Sequence, residues 1–537
     1  MPDLLESSAR RWPRRPLLLL DDGEVSYEDF LAGVNGLAAR LAEGGVERGD
    51  RVAAAVPSGP ELLYLWQALA RLGAVLVPLN PGLPFAEVAP FLEQIGIVGA
   101  VADRAALEAY GRRFDLRLRM AVGGDAPPGS LPFATPLRPQ PPASPASPIT
   151  AGDRVTILRT SGTTGGAKGV VLTHGSYLLP AAEFVRWMEV VPEDRFLDCL
   201  PLFHLAGQSF AVAAIAGGAA LKIVSRFSGR EFWTHVRAHR ITVVRYLGEM
   251  LAVLLKPAES SADRRHTLRA VYGGGARPDV VAAFERRFGV AVVEGYGLTE
   301  TNTALRNEIG ARRHGSMGAP LSYSEVRVAD AAGEALPASR DGERHVGEIQ
   351  VRRNPAMMAG YVGCPEAAGS CFVGDWFRTG DLGYRDAENF FYFVSREKDV
   401  IRRRGENIVP LYLEEVLERH PAVARAAVVG VLDELGGEEI KAYLVRRAGR
   451  VLDVGELVEW CRPRLADFEV PRFFELCADL PMTSTNKVDK SALRQMAGAG
   501  GVCFDRRAEP APREPAGGSP AGRHACWGAA GLPGEGE

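Results

Sequence analysis

The sequence predicts an α/β fold with a large N-terminal domain of layered sheets and helices and a small, mobile α+β C-terminal domain. Three observations lead to this prediction. A chain of 537 residues is longer than one hydrophobic core usually supports. Segments with helical and strand-like periodicity alternate from residue 26 onward. The hydrophobic fraction of 46% and the charged fraction of 24% are those of an ordinary globular protein.

The first hundred residues show the alternation most clearly. Residues 26–46 predict a helix, because apolar residues recur every three or four positions and Ser26 is suited to cap the first turn. Residues 49–57 predict a strand that ends at a proline. The most apolar stretch, residues 62–79, is interrupted by Gln67 and Arg71. It therefore predicts a buried helix followed by a buried strand, and no membrane span.

Composition divides the rest of the chain. A proline-rich connector at residues 127–148 precedes a predicted strand and a glycine-rich stretch. A second α/β region runs to about residue 330, and near Lys398 the pattern changes to a helix at 411–420 followed by a strand. We therefore predict domains at 1–397 and 398–495. Residues 496–537 are rich in Gly and Pro and predict a disordered tail.

Charge and cysteine usage exclude several classes of function. The formal net charge of -3 gives no reason to expect nucleic acid or an anionic membrane as a partner. The seven cysteines form no C-x-x-C pair and show no metal-ligand spacing. The four-leucine run at residues 17–20 is too short for a secretory signal. These features predict a cytoplasmic protein with reduced thiols.

Residues 160–170, TSGTTGGAKGV, have the composition of a phosphate-binding loop. Glycines let backbone N–H groups approach a phosphate closely, and the hydroxyl side chains add further donors. The Walker A pattern is excluded, because Ala167 stands where its second glycine belongs and Gly169 follows Lys168. The alternative is a solvated flexible loop, which the run of hydroxyl residues makes less favourable.

Six further motifs follow in a fixed order. They are PLFHLAG (201–207), YGLTE (296–300), GEIQVRRNPAMMAGY (347–361), WFRTGDLGYRD (376–386), SREKDVIRRRGENI (395–408) and LPMTSTNKVDK (480–490). Together with the glycine-rich stretch they resemble the core motifs of the adenylate-forming enzymes, which include acyl-CoA synthetases, luciferases and adenylation domains. The resemblance spans about residues 20–495, and residues 222–300 are most similar to the carnitine-CoA ligase and fatty-acid transport protein branch.

The resemblance implies an ATP-dependent carboxylic acid–CoA ligase. In this family a carboxylate attacks the α-phosphate of ATP, giving an acyl-adenylate and pyrophosphate, and a thiol then displaces AMP. The implied substrates are a carboxylic acid, ATP and CoA, with Mg²⁺ as the ion. Two alternatives stay open: a ligase that loads the acyl group onto a carrier-protein phosphopantetheine, and a nucleotide-binding homologue without catalysis. A homodimer is also left open.

The resemblance also implies a nucleotide site. Its residues are Thr160, Ser161, Gly162, Thr163, Thr164, Gly165, Lys168, Gly275, Ala276, Glu294, Tyr296, Gly297, Asp381 and Arg396. The glycine-rich stretch would hold the β and γ phosphates, Tyr296 would stack on adenine, and Asp381 with Arg396 would bind the ribose. Thr299 and Glu300 match the phosphate- and magnesium-binding pair. Taken alone, Asp381 suits a turn and Glu300 suits a helix N-terminus.

The remaining implied residues concern the acyl group and the second half-reaction. His204, Tyr246, Gly273 and Gly274 would line the acyl pocket, with Tyr246 on a predicted helix at 245–251. His204 would also take part in catalysis, although taken alone it suits a buried core position. In the small domain Lys398 matches the hinge, Gly405 the passage of the thiol, and Lys487 the catalytic lysine. Arg402, Arg403 and Arg404 suit either a solvated face or the phosphates of CoA.

Several positions depart from the family pattern. Ser395 and Asn486 replace glycines, Glu294 stands where many relatives carry glutamine, and Tyr412 occupies a position that is usually acidic. Relatives that activate amino acids place an aspartate in the pocket to pair with the amine. Residues 225–251 contain no aspartate, so we expect an acid without an α-amine.

Overall fold

The computed structural model describes the chain except residues 125, 134–147, 162–166, 341–342, 363–370, 404–405, 433–437, 484–487, 497–502 and 507–537. The described residues divide into two compact units. Unit 1 consists of Met1–His345, Ile349–Thr379 and Tyr384–Tyr392. Unit 2 consists of Val346–Glu348, Gly380–Gly383 and the chain from Phe393 onward. The division of the domains at residue 398 stays a prediction.

The helices alternate with strands as the periodicity predicts. They are α1 Pro2–Arg11, α2 Tyr27–Glu43, α3 Pro60–Leu72, α4 Phe85–Ile95, α5 Arg104–Arg113, α6 Gly175–Trp187, α7 Leu205–Gly217, α8 Phe232–Ala238, α9 Gly248–Leu255, α10 Pro278–Phe288, α11 Pro410–Glu418, α12 Val454–Cys461 and α13 Lys490–Met496. The Ser26 side chain accepts a hydrogen bond from Asp29 N at the start of α2, so the predicted cap is confirmed. None of the helices in the described part of the chain is both long enough and apolar enough to cross a membrane.

The strands before residue 310 are β1 Pro16–Leu19, β2 Glu24–Ser26, β3 Arg51–Ala55, β4 Val75–Pro78, β5 Gly99–Ala102, β6 Leu118–Ala121, β7 Leu131–Pro132, β8 Arg154–Ser161, β9 Ala167–Thr173, β10 Arg195–Asp198, β11 Ala220–Ile223, β12 Val243–Leu247, β13 Ala270–Gly274, β14 Ala291–Leu298 and β15 Asn302–Arg306. Those after residue 310 are β16 Ala319–Pro320, β17 Val326–Ala329, β18 Gly347–Arg352, β19 Gly360–Tyr361, β20 Phe372–Val373, β21 Trp376–Arg385, β22 Phe391–Arg396, β23 Ile401–Arg403, β24 Glu406–Ile408, β25 Val423–Leu432, β26 Glu438–Arg446, β27 Phe473–Cys477 and β28 Cys503–Asp505.

Two large sheets form the framework of unit 1. In the first, the order is β19-β9-β8-β4-β3-β5-β6-β7, and in the second it is β16-β15-β14-β13-β12-β10-β11-β1-β2. Strands β10 to β14 pair parallel with one another, as expected of strands linked by helices. The parallel strands are buried on both faces and rich in Val, Leu and Ala. The predicted layered α/β class is confirmed.

A third sheet is ordered β17-β18-β21-β20, and β22 also pairs with β21. Unit 2 further contains the pair β23-β24 and the sheet β25-β26-β27-β28. Helices α11 and α12 pack on the sheet β25-β26-β27-β28. There Leu413 of α11 and Leu457 of α12 form one buried cluster with Val428 of β25. Unit 2 thus mixes helices with a mainly antiparallel sheet, as the α+β prediction requires.

Two predictions about local structure are wrong. Tyr246 does not lie on a helix: it belongs to β12, and α9 begins only at Gly248. Pairing of Val243 and Val244 with β10 and β13 holds this segment extended, and β-branched residues suit a strand. The tail is not disordered at Cys503–Asp505, which form β28 against β27. There Phe504 contacts Phe474, and Asp505 pairs with Arg472 at 2.9 Å.

Candidate active site

The hairpin of β8 and β9 carries the ends of the predicted phosphate loop. Thr160 pairs with Lys168, and Ser161 with Ala167, across the two antiparallel strands. The Thr160 hydroxyl lies 3.5 Å from the carbonyl oxygen of Lys168, to which it donates. The predicted loop ligands Gly162, Thr163, Thr164 and Gly165 lie outside the described residues. The structure therefore fixes the two ends of the loop and the lysine that follows it.

Lys168, Tyr361 and Glu300 form a cluster beside this hairpin. The Lys168 ammonium lies 5.1 Å from the centroid of the Tyr361 ring. The Tyr361 hydroxyl donates a hydrogen bond of 2.9 Å to Glu300 Oε1. Burial, followed by the nearby Glu300 carboxylate, raises the pKa of Tyr361, which keeps its hydroxyl protonated as a donor. Two residues that the family assigns to phosphate and magnesium binding are thus linked through one tyrosine.

A tight turn between β14 and β15 presents Thr299 and Glu300. A Cβ on Gly297 would lie 1.9 Å from the carbonyl oxygen of Asn302, so only glycine fits at this point of the turn. Asn302 has a positive φ of 58° and pairs with Leu298. The Glu300 carbonyl accepts a hydrogen bond of 2.9 Å from Met358 N. Thr299 and Glu300 therefore lie on a turn. This excludes the alternative that Glu300 is a carboxylate at a helix N-terminus.

Three predicted residues form a row across neighbouring parallel strands. Tyr246 on β12 pairs with Gly273 on β13, and Gly273 pairs with Glu294 on β14. A Cβ on Gly273 would lie 2.1 Å from the Tyr246 carbonyl oxygen, so the strand requires glycine there. The Tyr246 hydroxyl is buried and has no hydrogen-bond partner among the described residues. Tyr296, two residues beyond Glu294, packs on the small apolar cluster that includes Leu305.

Glu294 is a buried carboxyl group. Burial raises its pKa to about 7, although a hydrogen bond from the backbone of Ala276 acts in the opposite direction. Ala276 follows Gly274 and Gly275, and Gly275 has a positive φ of 78°. This bend brings the backbone of Ala276 to the Glu294 side chain. A carboxyl that titrates near neutral pH can accept or donate a hydrogen bond, depending on its protonation.

His204 precedes the first residue of α7. Its Nε2 atom is buried without a hydrogen-bond partner among the described residues. Burial lowers the pKa of His204 to about 4, so the imidazole is neutral at physiological pH. An unpartnered, neutral ring nitrogen differs from the satisfied core histidine that the sequence alone would suggest.

In unit 2, Asp381 and Arg396 form an ion pair on β21 and β22. Arg396 Nε lies 3.1 Å from Asp381 Oδ1, and the two side chains are 41% and 3% exposed. Gly380, with a positive φ of 68°, precedes Asp381 and donates its N–H to Glu348 Oε1 at 3.0 Å. Asp381 thus lies inside a strand and not in a turn, and its carboxylate is paired with an arginine.

The other predicted residues of unit 2 are described in part. Lys398 lies in a short 3₁₀ turn, where Arg494 donates to its carbonyl at 3.4 Å and pairs with Asp399 at 2.8 Å. Gly405 and Lys487 lie outside the described residues. Arg402 is exposed, but Arg403 is buried and pairs with Glu439 at 2.7 Å. Arg403 therefore fits neither a solvated face nor a phosphate contact, because its charge is already paired inside unit 2.

Comparison with known proteins decides the family. The protein-family model described as "AMP-binding enzyme" matches residues 5–362. The family model described as "AMP-binding enzyme C-terminal domain" matches residues 412–487. The chain belongs to the AMP-binding enzyme family. The resemblance inferred from the motifs is thereby confirmed.

Relatives of this AMP-binding enzyme include crotonobetaine/carnitine--CoA ligases. The one from Citrobacter koseri is 33% identical, over 88% of this chain and 93% of its own length. Among solved structures, O-succinylbenzoate CoA synthetase from Bacillus subtilis with the acyl-adenylate OSB-AMP has a TM-score of 0.80 and 28% identity, covering 93% of this chain and 98% of its own. ATP-bound MatB from Rhodopseudomonas palustris has a TM-score of 0.81 and 26% identity, covering 92% and 98%.

Sequence reasoning missed two residues near the predicted sites. Tyr361 ends one of the six motifs, yet no role was assigned to it. Its place follows from β19, which pairs Tyr361 with Val170 on β9, two residues after Lys168. Arg245 precedes Tyr246 and points to the opposite face of β12, as successive strand residues do. A charged residue inside an otherwise apolar strand was the signal that could have found it.

Proposed function

We propose that this AMP-binding enzyme is an ATP-dependent carboxylic acid–CoA ligase. It forms an acyl-adenylate with release of pyrophosphate, and then transfers the acyl group to the thiol of CoA with release of AMP. Family membership over both parts of the chain carries this proposal. CoA is favoured over a carrier protein because the similar proteins named above are CoA ligases and a CoA synthetase.

The proposed roles in unit 1 follow from charge and donor chemistry. Lys168 would hold a phosphate of ATP together with the loop that begins at Thr160 and Ser161. Glu300 fits a magnesium ion, since a hard cation prefers carboxylate oxygens. Tyr361 donates a single hydrogen bond to this carboxylate, at Oε1, which leaves its other lone pairs for the ion. When bound, that ion would neutralise phosphate charge, and Thr299 would contribute a hydroxyl beside it. Tyr296, Gly297, Gly275, Ala276 and Glu294 would receive the adenine.

The proposed roles in unit 2 concern the ribose and the change between half-reactions. Asp381 would accept both ribose hydroxyls, with Arg396 orienting its carboxylate. Lys487 would neutralise the charge that builds up while the carboxylate attacks the α-phosphate. Lys398 would be the hinge and Gly405 the point where the thiol passes. His204, Tyr246, Gly273 and Gly274 would border the acyl group. A homodimer and a cytoplasmic location stay predictions.

The test is ATP-dependent pyrophosphate release with a panel of carboxylic acids, with and without CoA. The proposal expects acid-dependent release of pyrophosphate, formation of AMP and, with CoA, a thioester. Formation of ADP and phosphate, or pyrophosphate release that no acid stimulates, would contradict it. Replacing CoA with a phosphopantetheinylated carrier protein tests the alternative, a ligase that loads a carrier protein. Such a ligase would form a thioester only with the carrier.

A further inference from the structure

An arginine lies at the carboxyl end of β12, where the parallel strands meet the first turn of α7. Arg245 Nη1 donates a hydrogen bond of 2.8 Å to the carbonyl oxygen of Ala206, two residues after His204. Its guanidinium lies 5.1 Å from the centroid of the Tyr272 ring. Tyr272 is also its pairing partner on β13, immediately before Gly273. The guanidinium is therefore held in place by an aromatic ring and one carbonyl.

One carboxyl group, that of Asp198, lies close enough to Arg245 to feel its charge. Asp198 ends β10 and is next to Arg245 when the pairing of Leu197 with Val244 is continued by one residue. Burial raises the pKa of Asp198 well above its usual value, while the charge of Arg245 acts in the opposite direction. Asp198 Oδ2 has no hydrogen-bond partner, and no salt bridge joins Arg245 to a carboxylate, among the residues that the structure describes.

A further unsatisfied donor comes from α7. Gln208 is 1% exposed, and its Oε1 accepts a hydrogen bond from the Tyr177 hydroxyl. Its Nε2 donor is buried without a partner among the described residues. Phe210 on α7 stacks on Phe196 of β10 at 4.6 Å, so α7 covers the face of the sheet that carries Asp198. We call Arg245, Asp198 and Tyr272 the Arg245 cluster.

The position and composition of the Arg245 cluster both indicate a ligand. In open α/β sheets, ligands bind at the carboxyl ends of the parallel strands. In the described part of the chain the Arg245 guanidinium donates to one carbonyl oxygen, so a group that accepts hydrogen bonds from its other N–H donors is stabilised there. The cluster offers a positive guanidinium with N–H donors in a planar fork, which suits an anionic oxygen group. A positively charged ligand would meet like charge.

We infer that the acid activated by this enzyme carries a second carboxylate in its acyl part, and that Arg245 binds that carboxylate. The inference rests on the proposed function, because it takes the Arg245 cluster as part of the acyl pocket. Arg245 then replaces Tyr246 as the β12 residue of that pocket, since Tyr246 lies on the opposite face of the strand, in the buried cluster with Leu251. Arg245 is then a residue that determines specificity. It selects dicarboxylic acids over monocarboxylic acids of the same length and over acids with a quaternary ammonium group.

The test compares matched acids with wild type and variants. Straight-chain dicarboxylic acids from malonic to suberic acid are each paired with the monocarboxylic acid of equal length, and carnitine is added. Pyrophosphate release gives kcat/KM for each acid, and calorimetry gives the affinity for the dicarboxylic acids without turnover. Arg245→Met removes the charge, and Arg245→Lys retains it. Arg237→Met is the matched control, since Arg237 also lies over an aromatic ring, Trp233, at 5.8 Å.

We expect wild type to prefer one dicarboxylic acid over its monocarboxylic partner by at least about 10-fold. Arg245→Met should lower kcat/KM for that acid by about 10- to 100-fold, leave monocarboxylic acids within about 3-fold, and weaken binding in the calorimeter. Arg245→Lys should restore part of the preference, and Arg237→Met should change nothing.

Two results separate this inference from the proposed function. Activation of monocarboxylic acids or carnitine in preference to every dicarboxylic acid overturns the inference and leaves the ligase standing. Equal binding of dicarboxylic acids to wild type and Arg245→Met also overturns it. Absence of pyrophosphate release with every acid, together with binding of a dicarboxylic acid that depends on Arg245, overturns the ligase and retains the carboxylate site.

Discussion

The Lys168–Tyr361–Glu300 cluster of unit 1 and the Asp381–Arg396 pair of unit 2 arrange opposite charges in different ways. In the Lys168–Tyr361–Glu300 cluster, the neutral tyrosine lies between the cation and the carboxylate. Its ring contacts Lys168 and its hydroxyl donates a hydrogen bond to Glu300. In the second, the guanidinium contacts the carboxylate directly at 3.1 Å. The spacer leaves Lys168 and Glu300 available to phosphate and a cation. Direct pairing fixes the orientation of Asp381, which is what a hydrogen-bond acceptor for a ribose diol requires.

The largest effect should come from Glu300→Gln, because it removes the carboxylate that fits the metal ion. Pyrophosphate release should fall by about 10²- to 10³-fold, while ATP affinity without Mg²⁺ stays within about 3-fold. Glu325→Gln is the control, since Glu325 pairs with Arg352 at 2.9 Å and both are exposed. A normal rate in Glu300→Gln would show that the metal is held elsewhere.

Asp381→Ala should weaken the binding of ATP and AMP by about 10- to 100-fold, because the acceptor for the ribose hydroxyls is lost. The Tm should stay close to that of wild type, since Arg396 is 41% exposed and its charge can be hydrated. Calorimetry with ATP and AMP measures both affinities. Unchanged affinities would remove Asp381 from the nucleotide site.

Glu294→Gln tests a carboxyl whose pKa burial raises from 4.5 to about 7. The unfolded chain releases this proton near pH 4.5 and the folded chain near pH 7, so wild type loses stability as the pH rises between them. The variant should therefore gain in Tm relative to wild type from pH 5 to pH 7 and level off above. The corresponding gain in the free energy of unfolding is at most about 3.4 kcal/mol, at 1.36 kcal/mol for each of about 2.5 pKa units. A pH-independent difference in Tm would contradict the buried titration.

The smallest effect is expected for Tyr361→Phe, which keeps the ring over Lys168 and removes the hydrogen bond to Glu300. The concentration of Mg²⁺ for half-maximal pyrophosphate release should rise by about 2- to 10-fold, with kcat nearly unchanged. Tyr323→Phe is the matched control, because its hydroxyl donates to the Thr303 carbonyl at 2.7 Å. An equal rise in both variants would make the role of Tyr361 merely structural.

Much of the fold could be predicted from the sequence because its signals are local. Apolar periodicity and the Ser26 cap gave α2, and the interruption by Gln67 and Arg71 gave α3 followed by β4. Tyr246 was misplaced, since a short apolar segment fits either period and only pairing with β10 and β13 decides. The strand at Cys503–Asp505 is stabilised by Phe474 and Arg472, which composition cannot reveal.

The candidate site was predictable where a motif names a residue and unpredictable where a contact joins distant segments. Glu300 and Asp381 follow from their motifs. Tyr361 reaches Glu300 only because β19 pairs with β9, an arrangement that no local pattern encodes. Arg245 likewise meets Ala206 through the packing of α7 on the sheet. The sequence pattern placed Tyr246 on a helix, and Arg245 was therefore overlooked. Only in a strand do Arg245 and Tyr246 lie on opposite faces.

A single turnover without CoA tests the formation of an acyl-adenylate most directly. Enzyme in excess over ATP is mixed with an acid that it activates, and the quenched mixture is analysed by mass spectrometry. We expect one pyrophosphate and one bound acyl-AMP for each ATP consumed. Addition of CoA should then convert the bound acyl-AMP into AMP and acyl-CoA without further ATP. Formation of ADP would contradict an acyl-adenylate intermediate. So would acyl-CoA that forms only when ATP and CoA are added together, with no acyl-AMP detected.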